Sequence, residues 1–157
     1  MSFKLFGAVS LILAGLGLSL ALNAREARHS AQLSAICDLI RFFRTRIDCY
    51  LSPVSEIFAA ADKRILEACG CHTAVSSFDE FVKALEPPPS EEVLCLLRSF
   101  AAELGSSYRE DQLKCCDYHL SRLVPLRDSA TAEAAKRRRL NTALCLALSA
   151  ATVILLI

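Results

Sequence analysis

The segment KRRRLNTALCLALSAATVILLI, residues 136–157, sets four consecutive cations against a run without any charge. No other feature limits the chain as much. In hydrocarbon every backbone N–H and C=O must find its partner inside the segment, which a helix achieves. Leu140 to Ile157 amounts to about 27 Å of helix at ~1.5 Å per residue, against a hydrocarbon core of ~30 Å. A second uncharged run, LFGAVSLILAGLGLSLALNA, extends from Leu5 to Ala24, with Ser10, Ser19 and Asn23 as its polar residues. Both are expected to be transmembrane helices, dividing the chain into a first span (1–24), a middle domain (25–135) and a basic collar with a second span (136–157).

A cleavable signal peptide is the alternative for the first run, with Lys4 as its basic start and Ala24 as a small residue at a cut. The run is longer than the ~7–15 apolar residues usual there, and Leu22 stands where a small residue is preferred. Orientation favours two spans. Lys136, Arg137, Arg138 and Arg139 abut the second run and Arg25 and Arg28 follow the first. Basic flanks stay on the cytoplasmic side, which places the middle domain in the cytosol.

The net charge of +1 conceals an asymmetry. From His29 to Ala132 there are 11 Lys or Arg against 15 Asp or Glu, so the cations concentrate beside the apolar runs. Near an anionic leaflet each contributes ~1 kcal/mol. Membrane lipid is therefore an expected partner. Nucleic acid is not, since no basic stripe lies on the middle domain.

Eight cysteines raise the question of a disulfide framework or a metal site. In a reducing cytosol thiols stay free, and Cys37, Cys49, Cys95 and Cys145, on or beside apolar stripes, read as small core residues. CGCH at Cys69–His72 is the sharper case. With Cys116 and His119 it could supply thiolates and imidazoles to zinc. Cys-x-Cys-His lacks the usual two-residue spacer, however, and Gly70 already has a role as a helix stop, so no metal and no cofactor are expected. The competing reading is a membrane-tethered metal or redox sensor built on Cys69, Cys71, His72 and the Cys115 and Cys116 pair. The chain has no Gly-rich phosphate loop, no G-x-S-x-G and no H-E-x-x-H, and enzymatic activity is not expected. His29 and His119, beside charged residues, read as solvated surface.

The middle domain carries helical periodicity and almost no strand signal, so the fold class is all-α. Leu33, Ile36, Ile40, Phe43, Ile47 and Tyr50 repeat at three and four, one face of a helix that can continue from the first run. Ser52 and Pro53 open a helix with Val54, Ile57, Phe58, Ala61 and Ile65 inward, ended by Gly70. SFDE at Ser77–Glu80 is a capping box. Its short helix buries Phe78, Phe81, Val82 and Leu85 and stops at Pro87, Pro88 and Pro89. Ser90 caps a helix with Leu94, Leu97, Ala101 and Leu104 inward. SYRE at Ser107–Glu110 is a second capping box, opening the last helix with Leu113, Cys116, Leu120, Leu123 and Val124 inward. Pro125 is expected to kink or break it. Single apolar stripes require one another, which predicts a helical bundle. In the runs, Ala143, Ala147 and Ala151, Gly15 with Ser19, and Gly17 with Ala21 are small faces suited to close packing in lipid.

The stretch ELGSSYREDQLKCCDYHLSRL, Glu103–Leu123, resembles the stage III sporulation protein AB family, where a Leu-Gly turn precedes an Arg-Glu-Asp-Gln-like run. The central LIRFFRTRIDCYLSPVSEIF, the basic collar and the terminal run follow the family's order, so the resemblance covers nearly the whole chain. It implies a cytosolic bundle similar to the F-type platform protein of type II secretion, without catalysis of its own. By implication the chain sits in the mother-cell membrane around the forespore, in the channel complex required for endospore formation. A secretion-type ATPase and other channel subunits are the implied partners, and a homo-oligomer is compatible with the role. The matching residues, Arg109, Glu110, Asp111 and Gln112, form either a charged first helical turn or a partner contact; Lys136 to Arg139 would position the bundle at the lipid.

Overall fold

The computed structural model describes residues 2–50, 53–105 and 108–156, and the side chains of all of these except 2–9, 11, 12, 149 and 153–156. Ser52, Ser107 and Ile157 lie outside the described residues, and so do the two roles expected of those serines. Among the described residues the chain is all-helical: α1 (Ser2–Tyr50), α2 (Val54–Ala60), α3 (Lys63–Cys69), α4 (Phe78–Lys83), α5 (Glu91–Glu103) and α6 (Arg109–Leu156). The β pairing among them is an isolated bridge between Cys71 and Leu85. Two compact units arise, Met1–Ser30 with Ser129–Ile157, and Ala31–Asp128.

The second unit is built on the expected stripe of α1. Leu33, Ile36, Ile40, Phe43 and Ile47 are buried there, joined by Leu39 and Cys37, whereas Tyr50 is exposed. Arg46 explains Tyr50's place, since its guanidinium lies 5.2 Å from the Phe42 ring centroid and 4.9 Å from that of Tyr50. Facing the stripe is an aromatic cluster. Phe78 sits within 6.0 Å of the rings of Phe43, Phe58, Phe81 and Phe100, the tightest pair being Phe78 and Phe100 at 4.7 Å, edge to face. Such pairs add ~0.5–1.5 kcal/mol beyond the area they bury.

Several local expectations are corrected. The helix expected from Pro53 to Gly70 is two helices, because Ala61 leaves the helical region at ψ 139° and Asp62 caps α3 by accepting from the Arg64 amide at 2.9 Å. Gly70 does end α3, at φ 91°. In the SFDE box Ser77 accepts from the Glu80 amide at 3.2 Å, but Glu80 reaches past Ser77 to the Ser76 amide and hydroxyl, each at 2.9 Å. Those bonds hold the Glu80 carboxyl below its usual range. α4 ends at Lys83, before the prolines, and Ser90 makes no side-chain cap. On α5 the buried residues are Val93, Leu97 and Phe100, with Leu94, Ala101 and Leu104 half-buried. Cys49 and Cys95 are exposed, not core, and Cys145 is half-buried.

Pro125 does not break α6, which runs through it. A proline withholds the amide that would bond the carbonyl four residues earlier, here that of Ser121. Both residues lie on the exposed side of the helix, where water can satisfy the freed carbonyl.

In the other unit the ends of α1 and α6 meet through small polar side chains. Ser19 and Thr142 hydroxyls lie 3.4 Å apart, Asn23 donates to Ser19 at 3.4 Å, and Asn141 donates to Asn23 at 3.4 Å. Ser19 is buried and Gly15 half-buried, but Gly17, Ala21, Ala143, Ala147 and Ala151 face outward, so the alanine stripe is not what packs. Among the described residues, no helix is long and apolar enough to cross a membrane. The runs Leu5–Ala24 and Leu140–Ile157 lie partly outside the residues whose side chains are described.

Candidate functional site

The start of α6 gathers the residues singled out in the sequence. Tyr108 opens the helix, its carbonyl accepting from the Asp111 and Gln112 amides at 3.0 Å. Glu110 and Asp111 occupy the first turn, where the partial positive charge of the helix end favours carboxylates. A helical run of four residues cannot face one way, and this one divides. Arg109 and Gln112, three apart, line a cleft of about 640 Å³ whose apolar wall is Ile47, Val54, Phe78 and Leu104. Glu110 and Asp111 face solvent, Asp111 lying 3.7 Å from Lys114 Nζ.

Arg109 is also tied within the unit. Its Nη2 donates to the Asp48 carbonyl at 2.8 Å and pairs with the Asp48 carboxylate, joining the first turn of α6 to the last turn of α1. Two turns along, Arg44 grips Asp117 with two bonds, at 2.6 and 3.2 Å. That guanidinium holds the Asp117 carboxyl below its usual range, and the carboxylate raises Arg44 in turn. The two ion pairs fix the register of α1 against α6, and so the cleft between their neighbours.

The collar residues Lys136, Arg137, Arg138 and Arg139 are exposed. Arg137 donates to Glu26 at 3.0 Å and lies 3.6 Å from Glu133.

The cysteine corner is assembled differently from the expected metal set. Cys69 and Cys71 are buried, His72 faces solvent, and the Cys71 thiol donates to the Thr73 carbonyl at 3.4 Å. Gln32 on α1 closes this corner, its Nε2 donating to the carbonyls of Cys69 at 2.9 Å and Pro87 at 2.7 Å. Gly70 is required there: a Cβ would stand 2.5 Å from the Glu86 carbonyl oxygen, at a φ that side chains rarely adopt. Burial pushes the Cys69 thiol up to about 12 and the Cys116 thiol to about 11. Thiols so far from ionising are poor nucleophiles and poor redox sensors.

His119 overturns its expected place on the surface. It is fully buried against Phe100, with ring centroids 5.2 Å apart. The charged neighbours that suggested surface do not decide its place: His119 stands three after Cys116 and four before Leu123, on the buried stripe of α6. His119 is not brought to Cys69 or His72. Its ring nitrogen Nδ1 lies 3.0 Å from the Cys115 carbonyl oxygen and 3.6 Å from the Cys115 sulfur, and the Cys115 thiol donates to the Glu103 carboxylate at 3.4 Å. Burial and then Glu103 push the Cys115 thiol up to about 12. Among the described residues, Glu103, Cys115 and His119 are a group whose potential metal-ligating atoms converge within 4.8 Å. The Cys-x-x-x-His spacing was visible in the sequence. Glu103 carried no signal, since only the turn at Gly105 (φ 84°) brings the end of α5 back to α6.

The family model described as stage III sporulation protein AB matches residues 4–157. No curated protein and no solved structure matches the chain.

Proposed function

The chain belongs to the stage III sporulation protein AB family, and we propose that it acts as a non-enzymatic platform subunit of the mother cell to forespore channel. The family's role is in sporulation, and it is not a known enzyme family. In this reading the unit Ala31–Asp128 is a docking bundle, held at the mother-cell membrane by both ends of the chain, and a secretion-type ATPase and other channel subunits dock on it.

The observation that carries the reading is the placement of the Arg-Glu-Asp-Gln run. Two of its members line an apolar cleft and two stand beside it in solvent, a polar rim around a hydrophobic floor, as at a protein interface. Support for anchoring comes from the other unit. Leu13, Leu18, Leu20, Leu144 and Leu148 are each more than half exposed on uncharged helix, beside the four-cation collar. In water such residues are a liability; in lipid they are ordinary.

The test is a pull-down of the detergent-solubilised chain from sporulating cells, with mass spectrometry of what accompanies it. Recovery of a secretion-type ATPase and channel subunits, lost in Glu110→Lys/Asp111→Lys, is the expected result. These two carboxylates are exposed, so the exchange leaves the fold intact. Recovery of none of these partners, with normal sporulation of the deletion strain, sinks the proposal.

A further inference from the structure

The geometry points to a divalent-metal site for zinc, formed by Glu103, Cys115 and His119, and we propose it as a clamp on the turn between α5 and α6. The argument is independent of the platform reading. A tetrahedral ion with Zn–S of ~2.3 Å and Zn–N or Zn–O of ~2.0–2.1 Å requires its sulfur to stand ~3.5–3.6 Å from each of the other donors. Here the Cys115 sulfur is 3.6 Å from His119 Nδ1 and 3.4 Å from Glu103 Oε2. Both separations from the sulfur are thus already those that a bound ion imposes, and the three donor atoms lie within 4.8 Å of one another.

Hydrogen bonding accounts for only part of this arrangement. The thiol has one proton and gives it to Glu103. The imidazole can give its Nδ1 proton to the Cys115 carbonyl, and Nε2, buried, has no partner. A leucine at 119 would complete the stripe of Cys116 and Leu123 without stranding a nitrogen. The imidazole is thus a residue the apolar core does not need, and its Nδ1, 3.6 Å from the Cys115 sulfur, is the nitrogen a metal would take.

The charge balance is favourable. Zinc displaces the thiol proton to solvent, the imidazole gives up its Nδ1–H bond to the Cys115 carbonyl and holds its one proton on Nε2, and one thiolate and one carboxylate neutralise the ion. A neutral site is the form that partial burial tolerates. Three protein ligands leave a fourth position, which water fills. Cys115 and His119 are one turn apart on α6 and Glu103 ends α5, so the ion would bridge the two helices, beside the turn at Gly105.

The experiment uses the full chain, untagged, in detergent, with Co²⁺ alone as the probe. One equivalent should bind with a thiolate-to-cobalt charge-transfer band and the strong visible absorption of a tetrahedral ion, and one equivalent of Zn²⁺ should displace it. Cys115→Ser should remove the charge-transfer band, while Cys71→Ser should keep it. Glu103 is exposed, so Glu103→Gln keeps the fold and should weaken Co²⁺ binding at least about tenfold, the smallest loss typical of disturbing a metal's ligand shells. Absence of the band in the wild-type chain overturns the site, as does its survival in Cys115→Ser or an unchanged affinity in Glu103→Gln.

Discussion

Leucine is treated in opposite ways by the two units of this chain. In Ala31–Asp128 large aliphatic and phenylalanine side chains are withdrawn into a core: Leu39, Leu97 and Phe43 are each 0% exposed. In the unit formed by both chain ends, Leu20 is 69% and Leu148 67% exposed, and what is buried instead is Ser19, at 4%. One unit follows the hydrophobic effect in water, which rewards each large side chain withdrawn from solvent by ~1.5–3 kcal/mol. The other leaves its leucines outward and buries a small polar group, the pattern that the proposed anchoring would give, since in lipid small and polar groups make helix interfaces. The difference teaches that the pattern of burial, rather than secondary structure, separates the units, since α1 and α6 contribute residues to both.

The sharpest way to break this comparison is Phe78→Ala. Phe78 contacts four other rings in the core, and its truncation should cost about 3–5 kcal/mol of stability in the unit Ala31–Asp128. Chemical denaturation of the detergent-solubilised chain, followed by circular dichroism, reads the loss. Leu148→Ala, equally apolar but exposed, should leave the same transition within about 0.5 kcal/mol. A large effect of Leu148→Ala and a small one of Phe78→Ala would reverse the assignment of solvents.

Next in size is Leu13→Arg. On an outward face in water an arginine is harmless, whereas at the centre of a spanning helix it costs about 2.5–3.5 kcal/mol of insertion. Carbonate extraction of membranes from expressing cells should therefore shift protein toward the soluble fraction, with the denaturation transition of the other unit unchanged. An unaltered membrane fraction argues that this helix end does not face lipid.

Gly70→Ala sharpens the picture within the unit Ala31–Asp128. The substitution forces a side chain into φ 91° and against the Glu86 carbonyl, and also crowds Gln32 Nε2 at 3.1 Å. Strain of this kind costs about 1–3 kcal/mol. The same denaturation measurement should place Gly70→Ala below Phe78→Ala in effect, and a neutral result would show that the corner of α3 yields easily.

What could be read in advance follows from how local each signal was. The stripe Leu33–Ile36–Ile40–Phe43–Ile47 was legible because 3.6-residue periodicity is a property of one segment. Gly70 was legible because its job, a left-handed stop, is also local. The break at Ala61 was not, since Ile57, Phe58, Ala61 and Ile65 keep helical spacing across it and only Asp62, a cap, gave notice. His119 was not legible as core, because its neighbours in the sequence are charged and polar while its burial depends on Phe100 of another helix. The division of Arg109, Glu110, Asp111 and Gln112 between cleft and solvent, and the arrival of Glu103 beside Cys115, depend on how α5 and α6 pack, which no window of the sequence contains.

The smallest effect belongs to the ion pair of Arg44 and Asp117, and its sign can be worked out. Asp117 is held below its usual carboxyl range in the folded state by the Arg44 hydrogen bonds. A group whose pKa is depressed on folding stabilises the fold above its unfolded pKa, ~3.9 for Asp, and that contribution disappears as pH falls through the lower folded value. Both side chains are substantially exposed, at 39% and 55%, so water and salt screen the pair. Its contribution at neutral pH should be under about 1 kcal/mol. Asp117→Asn should thus lower the denaturation midpoint slightly at pH 7 and not at all near pH 2, and ~0.5 M salt should shrink the difference at pH 7. A loss that persists undiminished at pH 2 would mean that the Asp117 carboxylate acts through packing, not charge, and that Arg109 with Asp48 alone sets the register of α1 on α6.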